Sequence, residues 1–220
     1  MSPIKSKFRQ SKYRLVLLVI SVAVLGLAAG ATAWRIYSVP LSPEYDRLIV
    51  LPEPRIIADF ALTDQSGMPF SLEDFKGHWS LLFFGFTSCP DICPNTLFQL
   101  KQARQLMAEH AKAEDLPRVY LVSVDPERDT PEKLDSYLDY FDPAFFGLTG
   151  ADEQLKALAF QAGIAYFVEP HRAGDLEYNV DHSASLLLLD PQGRLYGVFP
   201  APHNAEQIAD DILVTIRQES

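Results

Sequence analysis

The sequence predicts a single α/β domain, a sheet with helices on both faces, behind one N-terminal membrane-spanning helix. Three observations predict it. Leu15 to Ala33 is an uninterrupted uncharged stretch rich in Leu, Val and Ala. Beyond it, continuous apolar runs alternate with segments of helical composition and end in a hairpin and a helix. The only two cysteines, Cys89 and Cys93, fall where the first central apolar run hands over to its helix.

Lys5, Lys7, Arg9, Lys12 and Arg14 precede the uncharged stretch, with no acidic residue among them. About 20 apolar residues cross a bilayer as one helix, and basic flanks stay on the cytoplasmic side. Residues 1–14 therefore read as a cytoplasmic basic tail and 15–34 as a retained transmembrane anchor, with Trp34 and Tyr37 suited to the outer headgroup layer. Ala31-Thr32-Ala33 also fits a small-x-small cleavage site, but the apolar run is longer than the usual signal-peptide core. Both readings export the domain. The expected location is a bacterial cytoplasmic membrane, single-pass, with the C-terminal domain on the periplasmic or outer face.

Residues 35–52 read as a linker, since Ser38 to Pro54 carries Pro40, Pro43, Pro52 and Pro54 among mixed polar residues. The domain, residues 53–220, opens with a hairpin signal in which Gln65-Ser66-Gly67 turns between Asp59–Asp64 and Met68–Ser71. Trp79 to Phe86 is apolar throughout, as a strand buried on both faces should be. Asn95 to Glu114 follows as a helix with apolar Leu97, Leu100, Leu106 and Met107, and Val119 to Val124 as a second buried strand. Thr130-Pro131 supplies an N-cap with proline at the first helical position, opening a helix to about Phe141. Asp152 to Ala162 is a further helix stopped by Gly163. Ser185–Leu189 and Leu195–Phe199 are strands joined by the tight-turn sequence Asp190-Pro191-Gln192-Gly193. Asn204 with Gln207 three residues on resembles a capping box, and Ile208, Ile212 and Ile216 form the buried stripe of the last helix.

Charge narrows the partners. Five of the 19 basic residues and none of the 29 acidic ones precede Trp34, so a net charge of −10 for the whole chain becomes about −15 for the exported part. That argues against nucleic acid and against adhesion to anionic lipid.

Two cysteines in an oxidising compartment usually form a structural disulfide. Here a bridge would join residues only four apart and constrain the unfolded chain little, which favours redox or metal chemistry instead. Pro90 or Pro94 marks the first helical position, and both sulfurs lie near a helix N-terminus, whose partial positive charge favours thiolate. A strand-to-helix turn bearing two cysteines is the architecture of the thioredoxin superfamily. The spacing is C-x-x-x-C rather than the C-x-x-C of ordinary dithiol oxidoreductases, which lets the sulfurs spread around one ion. Two thiolates suit Cu(I), soft and content with few ligands, better than a structural zinc, which normally takes four. Among His78, His110, His171, His182 and His203, His182 differs by context, standing before the buried strand Ser185–Leu189 at a sheet edge where loops gather.

Four segments carry a specific resemblance: Thr87-Ser88-Cys89-Pro90-Asp91-Ile92-Cys93-Pro94, the stretch Ser123-Val124-Asp125-Pro126-Glu127-Arg128-Asp129-Thr130-Pro131, Leu148-Thr149-Gly150, and Val180-Asp181-His182-Ser183-Ala184. Over about residues 53–217 the chain resembles the Sco/SenC family of membrane-anchored, thioredoxin-like copper proteins. The resemblance implies copper, as Cu(I) or Cu(II), held by Cys89, Cys93 and His182, with Asp125 and Asp181 as nearby supporting residues. It also implies delivery to the copper-bearing subunit of cytochrome c oxidase, at its CuA centre, with a copper donor protein or a thiol reductant upstream. On this reading the protein is a metallochaperone, not an enzyme. The alternative is a thiol–disulfide reductase for exported cysteines, in which one thiolate attacks and the other resolves, with Cys89 and Cys93 forming a disulfide when oxidised. A peroxide-reducing enzyme is disfavoured, because Thr87 is two residues before Cys89 where such a pocket has a threonine three before.

Overall fold

A computed structural model describes residues 17, 18, 20–30, 45–172 and 174–219. The chain divides into two compact units, residues 1–44 and 45–220. In the first, helix α1 is described at residues 17, 18 and 20–30, all exposed. Among the described residues no helix is long and apolar enough to cross a membrane. The basic tail, both ends of the Leu15–Ala33 stretch, the Ala31-Thr32-Ala33 site, Trp34, Tyr37 and the linker as far as Glu44 lie outside the described residues.

Among the described residues the second unit contains ten strands: β1 (Ile49–Arg55), β2 (Leu62–Asp64), β3 (Pro69–Phe70), β4 (Ser80–Gly85), β5 (Arg118–Ser123), β6 (Phe145–Thr149), β7 (Tyr166–Val168), β8 (Val180–His182), β9 (Leu186–Leu189) and β10 (Leu195–Phe199). Eight form one mixed sheet in the order β1-β10-β9-β4-β5-β6-β2-β3, while β7 and β8 pair as a separate antiparallel ribbon. Every residue of β4 is buried. It lies between antiparallel β9 and parallel β5, which is why its sequence is apolar without alternation.

Helices α2 (Ile92–Ala108) and α3 (Pro131–Phe141) link β4 to β5 and β5 to β6. Both are crossovers between adjacent parallel strands running in the same direction across the sheet, so right-handedness puts both on one face. Gly85 pairs with Ser123 and Gly147 with Leu121, so the two glycines also share a face. A Cβ on Gly147 would lie 2.8 Å from Leu134 of α3, and one on Gly85 would lie 2.8 Å from Cys93 Sγ of α2. These helices therefore rest directly on sheet backbone. Helix α4 (Asp152–Ala162) ends at Gly163, whose φ of 73° is the left-handed stop anticipated there. Helix α5 (Ala205–Glu219) packs along α2 and buries Ile208 and Ile212, with the Asn204 side chain accepting from Gln207 N at 3.0 Å. The opposite sheet face is filled by aromatics, with Phe75 edge-on to both Phe70 (centroids 5.0 Å) and Tyr120 (4.9 Å).

Several expectations need correction. The stretch read as linker to Pro54 includes β1, which pairs with β10 through Ile49↔Val198 and Val50↔Gly197. Pro52 and Pro54 fit because β1 is an edge strand whose register shifts between Val50 and Arg55, where no ladder donor is needed. Just before it, the buried Asp211 carboxylate of α5 accepts from the backbone N–H groups of Asp46, Arg47 and Leu48 at 2.7–2.8 Å. The chain is thus tied to the domain from Asp46 onward. Helix α2 begins at Ile92 and stops at Ala108, short of Glu114. Neither Pro90 nor Pro94 is its first residue; Asp91 is the N-cap and Pro94 the third helical position. There the missing N–H has no intrahelical partner to lose.

Candidate metal centre

Strand β4 ends at Gly85 and delivers the chain into a tight turn in which Cys89 N donates to Phe86 O at 3.3 Å. Cys89 is half-buried; Cys93, in the first turn of α2, is fully buried. Its sulfur stands over Gly85, which is why no side chain fits there. The third group arrives on the separate ribbon. His182 is the last residue of β8, not a loop residue ahead of β9, and its ring meets Phe83 and Phe86 edge-on at centroid distances of 5.8 Å.

The Cys89 and Cys93 sulfurs and a ring nitrogen of His182 all lie within 4.8 Å of one another, and no other such group of His, Cys, Asp and Glu occurs among the described residues. His182 Nδ1 is 3.1 Å from the Ser183 carbonyl oxygen, which assigns the ring proton to Nδ1. Nε2 is then an acceptor, and it faces Cys93 Sγ at 3.3 Å. Burial lowers the His182 pKa, keeping the imidazole neutral, and pushes the Cys93 thiol far above its ordinary value, with the Cys89 and Asp129 charges adding to the rise. The Cys93 S–H therefore donates to Nε2. This corrects the expectation of a thiolate at Cys93: desolvation outweighs the helix N-terminus.

A fully buried carboxylate, Asp129, holds the cysteine turn. Its oxygens accept from Thr87 N at 2.9 Å, from the Thr87 hydroxyl, from Ser123 Oγ at 2.7 Å and from Lys133 Nζ at 3.4 Å. Lys133 also reaches Ser88 Oγ at 3.3 Å. Asp129 lies in the Ser123–Pro131 segment, where from the sequence only Asp125 stands out as a supporting residue. The available signal was an acid directly before the Thr130-Pro131 helix start, where its carboxylate faces the end of β4.

Asp125 is buried but does not join the three-residue group. It is ion-paired to Arg128 and accepts from the Tyr178 hydroxyl. Arg128 in turn lies over the Tyr178 ring (3.7 Å) and the Phe86 ring (5.5 Å) and donates to the carbonyls of Leu176 and Tyr178. Asp125 thus acts through Arg128 on Phe86 and on the segment that leads into β8. Asp181 is exposed beside His182 on β8, and strand alternation directs it to the opposite side of the ribbon. Three of the other four histidines are engaged elsewhere: His78 with Tyr120 at 3.2 Å, His171 with Glu127 at 3.0 Å and His203 with the Ala184 carbonyl at 2.6 Å.

Two sulfurs and one imidazole nitrogen, half-enclosed and without a carboxylate, suit a soft ion of low coordination number such as Cu(I). A shallow depression on the β7–β8 ribbon is lined by Tyr166, Phe167, Asp181 and His182.

The SCO1/SenC family model matches residues 49–217. A SCO2-like protein of Rickettsia felis is 33% identical over 202 residues, spanning 91% of this chain and 96% of that protein. The copper-bound structure of Arabidopsis thaliana ScoI superposes with a TM-score of 0.67 at 32% identity, covering 74% of this chain and 99% of that one. BsSco, described as a member of the Sco family of cytochrome c oxidase assembly proteins with a disulfide switch, superposes with a TM-score of 0.58 at 26% identity, covering 76% and 95%. The thioredoxin-type α/β fold, the cysteine pair and the match across the whole second unit agree: the chain belongs to the SCO1/SenC family.

Proposed function

We propose that this protein is a membrane-anchored copper carrier. It takes one copper ion on Cys89, Cys93 and His182 and passes it to the copper-bearing subunit of cytochrome c oxidase, at the CuA centre, on the outer face of a bacterial cytoplasmic membrane. The observation that carries this reading is the approach of His182 Nε2, as a neutral acceptor, to the Cys93 sulfur at 3.3 Å. A dithiol exchange needs no imidazole there, whereas a three-ligand ion does. The copper-bound relative and the oxidase-assembly description of BsSco support the cargo and the recipient. The N-terminal uncharged stretch and its basic flank support the anchor.

Loading displaces the Cys93 thiol proton from its hydrogen bond with Nε2, so uptake releases protons and strengthens as pH rises. Neutral His182 needs no deprotonation of its own, because burial has already lowered its pKa. Release proceeds by ligand exchange: a donor of the recipient enters beside half-exposed Cys89 as one bond to the ion is given up. Asp125 and Asp129 support the site by holding the segments that carry its ligands.

A second reading, thiol–disulfide reduction of the recipient's cysteines, is favoured by one observation: Cys89 and Cys93 are free thiols close together, one of them half-exposed. Formation of their disulfide would remove both sulfurs from the metal at once. Copper titration of the reduced protein, wild type against His182→Ala, separates the two. The carrier reading expects one tightly held ion in the wild type and loss of affinity of tenfold or more, about 1.4 kcal/mol, on removing the imidazole. Equal binding by both proteins would reject His182 as a ligand. In a deletion strain, oxidase activity restored by added copper supports delivery, and activity restored by thiol reductant alone supports reduction.

A further inference from the structure

His182 reaches the cysteines on a ribbon that the main sheet does not hold. Among the described residues β7 and β8 pair only with each other, in the register Tyr166↔His182 and Val168↔Val180. A cleft of about 630 Å³ lies between the ribbon and α4, and across it the Tyr166 hydroxyl reaches Asp152 only at 3.5 Å. Apart from the contacts of the His182 ring itself, the ribbon must be fixed through the loop that joins its strands.

Tyr178, two residues before β8 and 8% exposed, is the centre of that attachment. The His171 ring lies parallel to it, 6° off plane with centroids 3.6 Å apart, and the Arg128 guanidinium carbon stands 3.7 Å from its centroid. Two groups that close to one ring centre cannot share a face, so Tyr178 is the middle slab of a three-layer stack. All three layers are tied to the turn between β5 and α3. Glu127 faces His171 Nε2 at 3.0 Å, while Asp125 pairs with Arg128 and accepts from the Tyr178 hydroxyl. Arg128 Nη1 also donates to the carbonyls of Leu176 at 3.0 Å and Tyr178 at 3.1 Å. Behind the stack the loop is closed on itself, with Glu169 N donating to Asn179 O and Asn179 Nδ2 to the Glu169 carboxylate, each at 2.9 Å. Arg128 lies 5.5 Å from the centre of the Phe86 ring, which meets His182 edge-on at 5.8 Å. Asp129 of the same turn holds Thr87 and with it the cysteine turn. One short turn thus grips both ligand-bearing segments.

We infer that Tyr178 is a positioning residue: clamped between Arg128 and His171, it fixes the β7–β8 ribbon against the cysteine turn and so presents His182 to the ion. The inference rests on the copper reading above. Tyr178 is outside the Cys89, Cys93 and His182 group and acts only through the ribbon. A guanidinium over a desolvated aromatic face is held by the ring quadrupole, and a flat stack leaves the slab few ways to move. A ribbon already in place needs no ordering when the ion arrives, so the imidazole contributes its full bond strength to binding.

The test is a double-mutant cycle on the full-length reduced protein titrated with copper: wild type, Tyr178→Leu, His182→Ala and the two together. Tyr178→Leu is expected to weaken binding about fivefold, the scale of one lost cation–π contact. It should also weaken the nitrogen coupling in the paramagnetic resonance spectrum of the Cu(II)-loaded form. In the His182→Ala background the same change should alter affinity by less than about twofold, because it acts through the imidazole alone. A tyrosine that served stability alone would act equally in both backgrounds. Tyr178→Phe keeps the slab between its neighbours and should keep the wild-type nitrogen signal. In the unloaded protein Tyr178→Leu should speed amide hydrogen exchange in the ribbon and leave β4 unchanged. If Tyr178→Leu does not fold, His171→Gln, which removes the outer slab, takes its place in the cycle with the same pattern expected. Equal effects with and without His182, or an unaltered nitrogen signal, would overturn the role of Tyr178 and leave the carrier reading intact. Unchanged affinity in His182→Ala itself would overturn both.

Discussion

Replacing Asp129 tests whether the metal site is held from beneath. The carboxylate is fully buried and takes four hydrogen bonds, two from Thr87 just ahead of Cys89, one from Ser123 at the end of β5 and one from Lys133 in α3. In Asp129→Ala, Thr87 N and the two hydroxyls lose their acceptor, Ser123 in a fully buried position and Thr87 in a partly buried one. Each stranded buried donor costs about 1–3 kcal/mol, with the hydroxyls at the low end because they can rotate. Lys133 is 44% exposed and regains solvent, so it adds little. The sum is about 3–5 kcal/mol, in line with removing one partner of a buried charge pair. For a domain of this size that lowers the melting temperature by on the order of 10 °C. Asp129→Asn keeps one oxygen for Thr87 N and Ser123 Oγ and presents an amide toward Lys133, so it should cost about 1–2 kcal/mol. The freed turn also spreads the two sulfurs, so Cu(I) affinity should fall in both variants, more in Ala than in Asn. Urea unfolding and competitive Cu(I) titration are the assays. An Asp129→Ala protein within about 1 kcal/mol of wild type, with unchanged affinity, would refute the claim that this carboxylate organises the cysteine turn.

Gly85→Ala would put a methyl group 2.8 Å from Cys93 Sγ and 2.9 Å from the Phe83 ring, so it should destabilise by about 1–3 kcal/mol and push the sulfur off the site; calorimetry and Cu(I) competition check this, and wild-type values in both would refute it. The reduced, unloaded domain should be most stable between about pH 6.5 and 9. His182, His78 and His203 all have folded pKa values lowered by burial, so their contribution is present above the unfolded value of 6.5 and is lost as pH falls below it. His171 works in the opposite sense, its pKa raised by the Glu169 carbonyl and then by Glu127. Cys93 has a folded pKa raised above its unfolded value of 9.0, so its contribution is complete below that pH and is lost as pH climbs past it. Denaturant unfolding across pH reads both limbs, and Cys93→Ala should flatten the first part of the alkaline one; an alkaline limb unchanged in that variant would remove Cys93 as its source.

The sequence by itself determined the elements that depend on local pattern. The apolar run that becomes β4 stands out because both faces of a central strand are buried. The Thr130-Pro131 start, the Gly163 stop and the Asn204 cap stand out because each satisfies or frees backbone groups within a few residues. Cys89, Cys93 and His182 were legible as candidates from residue type and motif. Their convergence was decided only by tertiary structure, since 89 residues separate Cys93 from His182 and the ribbon that carries the histidine is too short and too mixed to show a period. The same holds for proton placement. A helix N-terminus read along the chain favours thiolate at Cys93, but burial beneath α2 and over Gly85 reverses the balance, because desolvation depends on everything packed around the sulfur. For that reason too, Asp129 does not stand out in the sequence. A lone acid has no local signature of function, and its meaning comes from what the fold sets beside it.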